Sequence, residues 1–508
     1  MRARFYFLGY AFAVAALTVP TRSESEAPNI LFIMADDHSA ATVGCYATHL
    51  KAVVQTPNID RLAAEGARFT NVQCVNSLCA PSRATIITGL YSHRNGVFTL
   101  REDLNTADLP TVPKLLRKAG YQTAVIGKWH LHGDNLHGFD YHAVTTSQGS
   151  YMNPSLTATG GKKLRFKGHS TEVYTDHSID WLKLRDKTRP FFLMTHFKAA
   201  HGPWHYAPRY QSLYEGVVIP EPPTLFDTFL GRHPNGVPRK GARLHKAGSK
   251  SSLSLWFSSN RKGKGGSTWP TGTMNIDGLS DEETVRATYQ KYAKDYLRCV
   301  KGIDDGVGRL RDYLESEGIL DNTVVVYTSD QGMFVGESGF YDKRLGLNPA
   351  MQMPLILRFP KAVKKGVVFD ELINNVDYAK TLLAMGEVAK PASMQGYSFW
   401  NLARGKGPWK RTRSLYQFYS NGAPKHYGLV TSDYKLLKYV GKDGSVAGAD
   451  LFDRRADPTE QKSLIGDPAH AGTLMRMERE LVEERKLIGL SDSLLPGRWR
   501  SAKATLKD

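Results

Sequence analysis

The chain has 508 residues, 41% of them hydrophobic and 23% charged, and a formal net charge of +18; this composition reads as globular and excludes a disordered protein, and the length leaves room for more than one domain. The surplus of Lys and Arg favours anionic partners, but no helix-turn-helix, zinc-finger or RNA-binding motif accompanies it, so nucleic acid is not expected. Four cysteines (Cys45, Cys74, Cys79 and Cys299) cannot staple a chain of this length, which must hold itself by its core.

The N-terminus reads as a processing segment. Basic Met1-Arg-Ala-Arg4 precedes an apolar stretch from Phe5 to Val19, and polar Thr21-Arg-Ser-Glu-Ser-Glu26 follows. This order predicts a secretory signal peptide over residues 1–25 and a secreted or periplasmic protein with no stable membrane anchor; an uncleaved anchor is the alternative. Asn29-Ile-Leu-Phe-Ile-Met-Ala-Asp36 is a continuous apolar run ending in acids, the pattern of a buried parallel strand with functional residues at its carboxyl end. Thr56-Pro-Asn-Ile-Asp-Arg-Leu-Ala-Ala-Glu-Gly66 predicts a short capped helix stopped by Gly. Thr123–Gly127, Phe191–His196, Val324–Thr328 and Leu355–Phe359 predict further buried strands, and helical patterns separate them, notably Asp281 to Glu317.

Alternating strands and helices imply an α/β fold, with a large mixed, mainly parallel sheet sandwiched by helices over residues 27–385. After about residue 385 the pattern changes. Ser414–Tyr419 and Tyr427–Val440 are strand-like, Asp433-Tyr434 marks a turn, and 470–488 reads as a helix, so a smaller antiparallel-sheet subdomain is expected over 386–508. Residues 228–276 hold nine Lys or Arg and no Asp or Glu, with abundant Gly and Ser. A basic insertion of this kind predicts a surface loop, either simply solvated or serving as a guide for a polyanionic chain.

The most informative segment is Asn76-Ser-Leu-Cys-Ala-Pro-Ser-Arg-Ala-Thr-Ile-Ile-Thr-Gly89. Its Cys79-x-Pro81-x-Arg83 core resembles the signature of the type I sulfatases, members of the alkaline phosphatase superfamily, in which this Cys is oxidised to formylglycine. The resemblance implies nucleophilic catalysis by a hydrated aldehyde. One hydroxyl attacks sulfur and the other later collapses back to the aldehyde, expelling sulfate. It also implies a partner, the formylglycine-generating or sulfatase-maturating enzyme.

Asp36-Asp37 and Asp330-Gln331 follow two of the predicted strands. If those strands run parallel, both pairs emerge at one sheet edge and offer hard oxygen ligands to Ca2+ or Mg2+. By the resemblance Asp36, Asp37, Asp330 and Gln331 hold one Ca2+, with the side chain at Cys79 completing the set. Lys128 and Lys343 map onto cations that bind the sulfate, and His130 onto a partner of the nucleophile. His201, in His201-Gly-Pro203, maps onto a contact to the bridging oxygen, as general acid to the leaving alcohol, and Arg83 would orient the nucleophile and metal site.

Ile303–Leu310, Asn375–Leu383 and Leu451–Glu460 also resemble family segments, so the likeness spans roughly 28–490. The chain departs from the family pattern after Lys343-Arg344, where Leu345-Gly-Leu-Asn-Pro349 replaces a segment that forms a helix near the substrate mouth; Pro349 is expected to disturb that helix. Gly336-Glu-Ser-Gly339 replaces Gly-Glu-His-Gly. The implied activity is sulfuric ester hydrolysis on a sulfated carbohydrate of glycosaminoglycan, mucin or algal type, leaning to glycan sulfatases like N-acetylglucosamine-6-sulfatase. The alternatives are a phosphatase or phosphonate monoester hydrolase of the same fold, and a catalytically inactive polyanion-binding protein.

Overall fold

The computed structural model describes residues 27–131, 136–237, 244, 253, 257, 269–421 and 423–499. The expected signal peptide lies outside them. A ten-stranded mixed sheet forms the centre, in the order Val367–Phe369, Ala67–Phe69, Leu355–Arg358, Thr323–Ser329, Asn29–Ala35, Phe191–His196, Gln122–Gly127, Tyr141–Thr145, Ser155–Ala158 and Lys163–Arg165. The five strands from Thr323–Ser329 to Tyr141–Thr145 are mutually parallel, and Leu355–Arg358 runs antiparallel to its neighbours. The mainly parallel α/β architecture is therefore the one expected.

The apolar runs form central strands because both faces are covered. Successive side chains of a strand point to opposite faces. Ile30, Phe32, Val324, Val326, Phe192 and Met194 pack into one core, while Leu31, Ile33, Val325, Tyr327, Phe191 and Leu193 pack into the other. Each such side chain contributes roughly 1.5–3 kcal/mol by leaving water. A strand apolar on both faces has no register that would expose it cheaply, which fixes it in the middle of the sheet.

The helix expected near residue 56 spans Pro57–Ala64, but its cap differs from the expectation. Thr56 makes no capping bond. Its hydroxyl instead accepts from the Gly44 N–H at 2.7 Å. The Asn58 and Ile59 N–H groups donate to Asp304 Oδ1, both at 2.9 Å. A carboxylate reaching in from another helix outcompetes a local hydroxyl because a charge-assisted bond is the stronger one. That other helix, Asp281–Ser316, starts at a capping box between Ser280 and Glu283.

Ser414–Phe418, His426–Val430, Tyr434–Val440 and Val446–Asp453 form a four-stranded antiparallel sheet, the last of them not foreseen. Tyr416, Phe418 and Leu437 face the main core; Leu415, Leu429 and Leu436 face Met477 and Leu481 of the helix Ala471–Leu487. The buried Arg411 guanidinium grips Asp377 with bonds of 2.7 and 2.6 Å. Neighbouring Asn375 donates to Ser82 Oγ at 2.7 Å and accepts from the Val75 N–H at 3.1 Å. The segment 375–383 is thus a brace for the helix that begins at Cys79.

Two expectations fail here. Pro349 does not disturb its segment; it lies in the first turn of a short helix, Asn348–Met351, where its missing N–H has no intrahelical partner to lose. The basic insertion is not solely a surface loop. Among its described residues Leu244, Leu253 and Phe257 are fully buried, and Arg232 is buried against Asp227 at 2.9 Å and the Glu460 carbonyl at 2.5 Å. Apolar residues spaced through a basic run can anchor it to the core. All four cysteines are free, and among the described residues no helix is long and apolar enough to cross a membrane.

Candidate active site

The parallel strands deliver their carboxyl ends to one edge of the sheet. Asn29–Ala35 leads into Asp36-Asp37, Thr323–Ser329 into Asp330-Gln331, Gln122–Gly127 into Lys128, and Phe191–His196 into His201. The helix Cys79–Thr88 points its N-terminus at this edge, with Cys79 as its first residue. Unpaired N–H groups and the helix dipole there favour an anion. Gly127 has φ +104°, and a Cβ on it would lie 2.0 Å from the His196 carbonyl oxygen, so only glycine lets Lys128 turn inward here. Asp37, His130, Trp204, Asp342 and Arg344 also carry positive φ. Such conformations cost free energy and persist where the surroundings over-determine them.

Arg83 ties three elements together. Its Nε donates to Asp330 Oδ2 at 2.8 Å, one terminal nitrogen donates to the Lys128 carbonyl at 2.6 Å, and the other lies 3.4 Å from Asp36 Oδ1. Asp330 Oδ1 accepts from the Asp37 and Gln331 N–H groups at 3.1 and 3.0 Å. Lys128 Nζ pairs with Asp36. Lys343 Nζ pairs with Asp37. The Cys79 Sγ stands among them, 3.4 Å from Lys343 Nζ, 3.9 Å from Lys128 Nζ and 3.8 Å from Asp37 Oδ1. His201 Nε2 lies 3.7 Å from Asp37 Oδ2, while its Nδ1 meets the Gly202 carbonyl at 2.7 Å.

Burial governs the electrostatics. It pushes the Cys79 thiol up to about 12, the nearby Asp36 adding to the effect and Lys128 and Lys343 opposing it. As a thiol this side chain is therefore protonated at neutral pH and a poor nucleophile. Burial raises Asp330 to about 7, helped by Asp36 and opposed by Arg83. It also raises Asp37, against the pull of Lys343. Burial acts on Asp36 as well, but Lys128, His201, Arg83 and Lys343 together hold that carboxyl well below its usual range. His201 is driven well down by burial and then by Lys343 and Lys128, which makes the ring neutral.

The donor set fits a hard divalent cation. One oxygen each of Asp36, Asp37 and Asp330 lie within 4.8 Å of one another. Gln331 Oε1 is buried and accepts no hydrogen bond. Three crowded acids, two of them raised by burial, and an orphaned amide oxygen form an all-oxygen set suited to Ca2+ or Mg2+.

Two residues in this site carried no signal in the sequence. Gln148, from the loop after Tyr141–Thr145, accepts from Lys128 Nζ at 2.6 Å and meets His130 Nε2 at 3.3 Å, and so joins His130 to the group. Lys198 is buried with its Nζ 5.0 Å from the centre of the Tyr151 ring, and burial, aided by Lys128, lowers its ammonium to about 8. A lone Gln in a polar loop and a Lys after a strand have no distinguishing pattern; only the tertiary structure brings them here.

Comparison with known proteins adds an independent line. The family model described as Sulfatase matches residues 28–388, and one described as N-sulphoglucosamine sulphohydrolase, C-terminal, matches 336–487. The chain is 36% identical to a protein of Bacteroides thetaiotaomicron described as N-acetylglucosamine-6-O-sulfatase, over 94% of this chain and 89% of the relative. The solved structure of BT4656 in complex with its substrate D-glucosamine-2-N,6-O-disulfate superposes with a TM-score of 0.84 at 35% identity, covering 91% of this chain and 98% of that one. The phosphonate monoester hydrolase of Silicibacter pomeroyi shares the fold, with a TM-score of 0.68 at 20% identity over 93% and 100% of the two chains. The chain belongs to the sulfatase family and is a sulfatase.

Proposed function

We propose that this sulfatase removes a sulfate ester from a sulfated amino sugar of glycosaminoglycan type, with Cys79 oxidised to formylglycine as nucleophile and one Ca2+ held by Asp36, Asp37, Asp330 and Gln331. The observation that carries the mechanism is the Cys79 side chain at a buried helix N-terminus, flanked at 3.9 and 3.4 Å by Lys128 and Lys343. The names of the Bacteroides relative and of the substrate bound to BT4656 support the amino-sugar class. Once bound and formed, the cation and the aldehyde hydrate would supply Lewis acidity and a nucleophile with a built-in exit.

The remaining roles belong to the chain's own residues. Lys128 and Lys343 neutralise the sulfate oxygens, and the low dielectric of the buried site strengthens that attraction. Arg83 locks the carboxylates of both strands to the helix that carries the nucleophile. Gln148 orients Lys128 and His130. His201 carries its proton on Nδ1 towards the Gly202 carbonyl, so Nε2 must be loaded with a proton before it can serve the leaving alcohol. Export by the N-terminal segment, maturation by a formylglycine-generating enzyme and division of the chain near residue 385 complete the reading.

The test has two parts. On protein from a maturation-competent host, the mass of the tryptic peptide containing Cys79 should show the change from thiol to aldehyde. The same protein should release sulfate from 6-sulfated glucosaminides faster than phosphate from the matching phosphate esters. An unmodified thiol, or phosphate turnover that dominates, overturns the proposal.

A further inference from the structure

The cavity that reaches Asp37, His201 and Lys343 does not end at the charged groups. Its other lining includes Trp204, Trp269, Met333 and Tyr341. A sulfate needs cations and N–H donors; the electron-rich faces of aromatic rings and a thioether offer it nothing. An apolar aromatic wall beside an anion site is the arrangement that receives a ligand with one charged substituent and one apolar face.

The wall is built in two layers. Trp204 is 3% exposed and held 4.5 Å from the Tyr292 ring and 6.3 Å from the Tyr341 ring, centre to centre. It follows His201 by three residues, so the segment that supplies the group for the leaving oxygen also supplies the buried layer. Trp269 stands 6.0 Å from Trp204, tilted by 36°, and Phe257 props it edge-on at 4.8 Å and 81°. Trp269 is only half-buried. Both Phe257 and Trp269 come from the basic insertion 228–276. The rim beside them is polar, with Arg344 Nε donating to Asp342 at 2.9 Å, a partly exposed pair that can exchange bonds with hydroxyl groups.

We infer that Trp269, backed by Trp204 and Phe257, is the leaving-group subsite of this enzyme and takes the C–H face of the pyranose ring that bears the scissile sulfate, the ring hydroxyls turning to Asp342 and Arg344. This inference rests on the proposed sulfatase reaction at Cys79 and deepens it. The insertion is then a specificity element, and Trp269 is the part of it that touches the sugar. A planar aryl leaving group would use the indole but have no need of the charged rim, which is why the assignment is to a pyranoside.

The experiment compares wild type, Trp269→Ala and Trp269→Tyr on methyl glucosaminide 6-sulfate, a short acyclic alkyl sulfate and 4-nitrophenyl sulfate. Trp269→Ala should raise KM for the sugar sulfate by about tenfold with kcat little changed, because stacking is made equally in ground and transition states. Trp269→Tyr should recover most of that loss, and the acyclic sulfate should be unaffected. Calorimetry on protein made without the maturation machinery, where Cys79 stays a thiol, should show the same weakening of binding without turnover. Equal losses on the sugar and acyclic sulfates, or none on the sugar, overturn the subsite while the reaction at Cys79 stands. A larger loss on the aryl sulfate than on the sugar overturns the pyranoside assignment. If wild type releases no sulfate from any ester but binds the sugar through Trp269, the reaction fails and the subsite survives.

Discussion

Replacing Lys128 with Met removes one buried charge from the site and keeps the length of the side chain. Lys128 is fully buried, paired with Asp36 and bonded to Gln148 at 2.6 Å. Its Nζ lies 3.9 Å from the Cys79 Sγ. At that distance, with an effective dielectric of about 20, a unit charge on the Cys79 side interacts with the ammonium by about 4 kcal/mol. Part of this is retained, because Arg83 remains 3.4 Å from Asp36 and Lys343 remains 3.4 Å from Sγ. A net loss of about 3 kcal/mol in transition-state stabilisation corresponds to roughly a hundredfold drop in kcat/KM for sulfate esters. The same substitution should act with the opposite sign on the metal, since a cation next to the carboxylates repels Ca2+, so the apparent Kd for calcium should fall. Steady-state kinetics on a sulfated glucosaminide and calcium titration of chelator-treated protein read the two effects separately. Opposite movements cannot arise from general misfolding, which would weaken both. A kcat/KM within about threefold of wild type, or calcium binding that weakens, refutes the charge argument.

Chelation should abolish sulfate release, and Ca2+ should restore it; activity that survives exhaustive chelation removes the metal from the reading. His201→Ala should cost more on alkyl than on activated aryl sulfates, since a good leaving group needs less protonation, and equal losses contradict the general-acid role. Lys435 is fully buried against Glu460 at 2.5 Å, and burial, resisted by Glu460, lowers it to about 8 from 10.5. Between those values the unfolded chain binds the extra proton, so stability must rise with pH from about 8 to about 10.5 and be flat below, by up to roughly 3 kcal/mol. The urea midpoint of wild type should rise across that window relative to a Lys435→Met/Glu460→Gln variant; parallel pH curves for the two proteins contradict this.

The sheet was legible because its central strands are apolar on both faces, so Asn29–Ala35, Phe191–His196 and Thr323–Ser329 declare themselves without any partner in view. The short strands Ala67–Phe69, Tyr141–Thr145 and Ser155–Ala158 were not legible. They lack a continuous apolar run and are only partly buried, so neighbours rather than local preference hold them extended. The Thr56 cap shows the same limit. Its local chemistry was right for a cap, and a carboxylate 246 residues beyond Asn58 took the bonds instead.

By itself the sequence determined the layered α/β order and nominated candidate residues for the site, because strand periodicity, acids at strand ends and the Cys79-x-Pro-x-Arg83 run are local signals. Only the tertiary structure decided what surrounds them. Gln148 on Lys128, Lys198 over the Tyr151 ring, Asn375 bracing Ser82, and Trp269 against Trp204 are contacts between residues well separated in the chain. Such contacts depend on where strands end and loops return, and no local pattern encodes that.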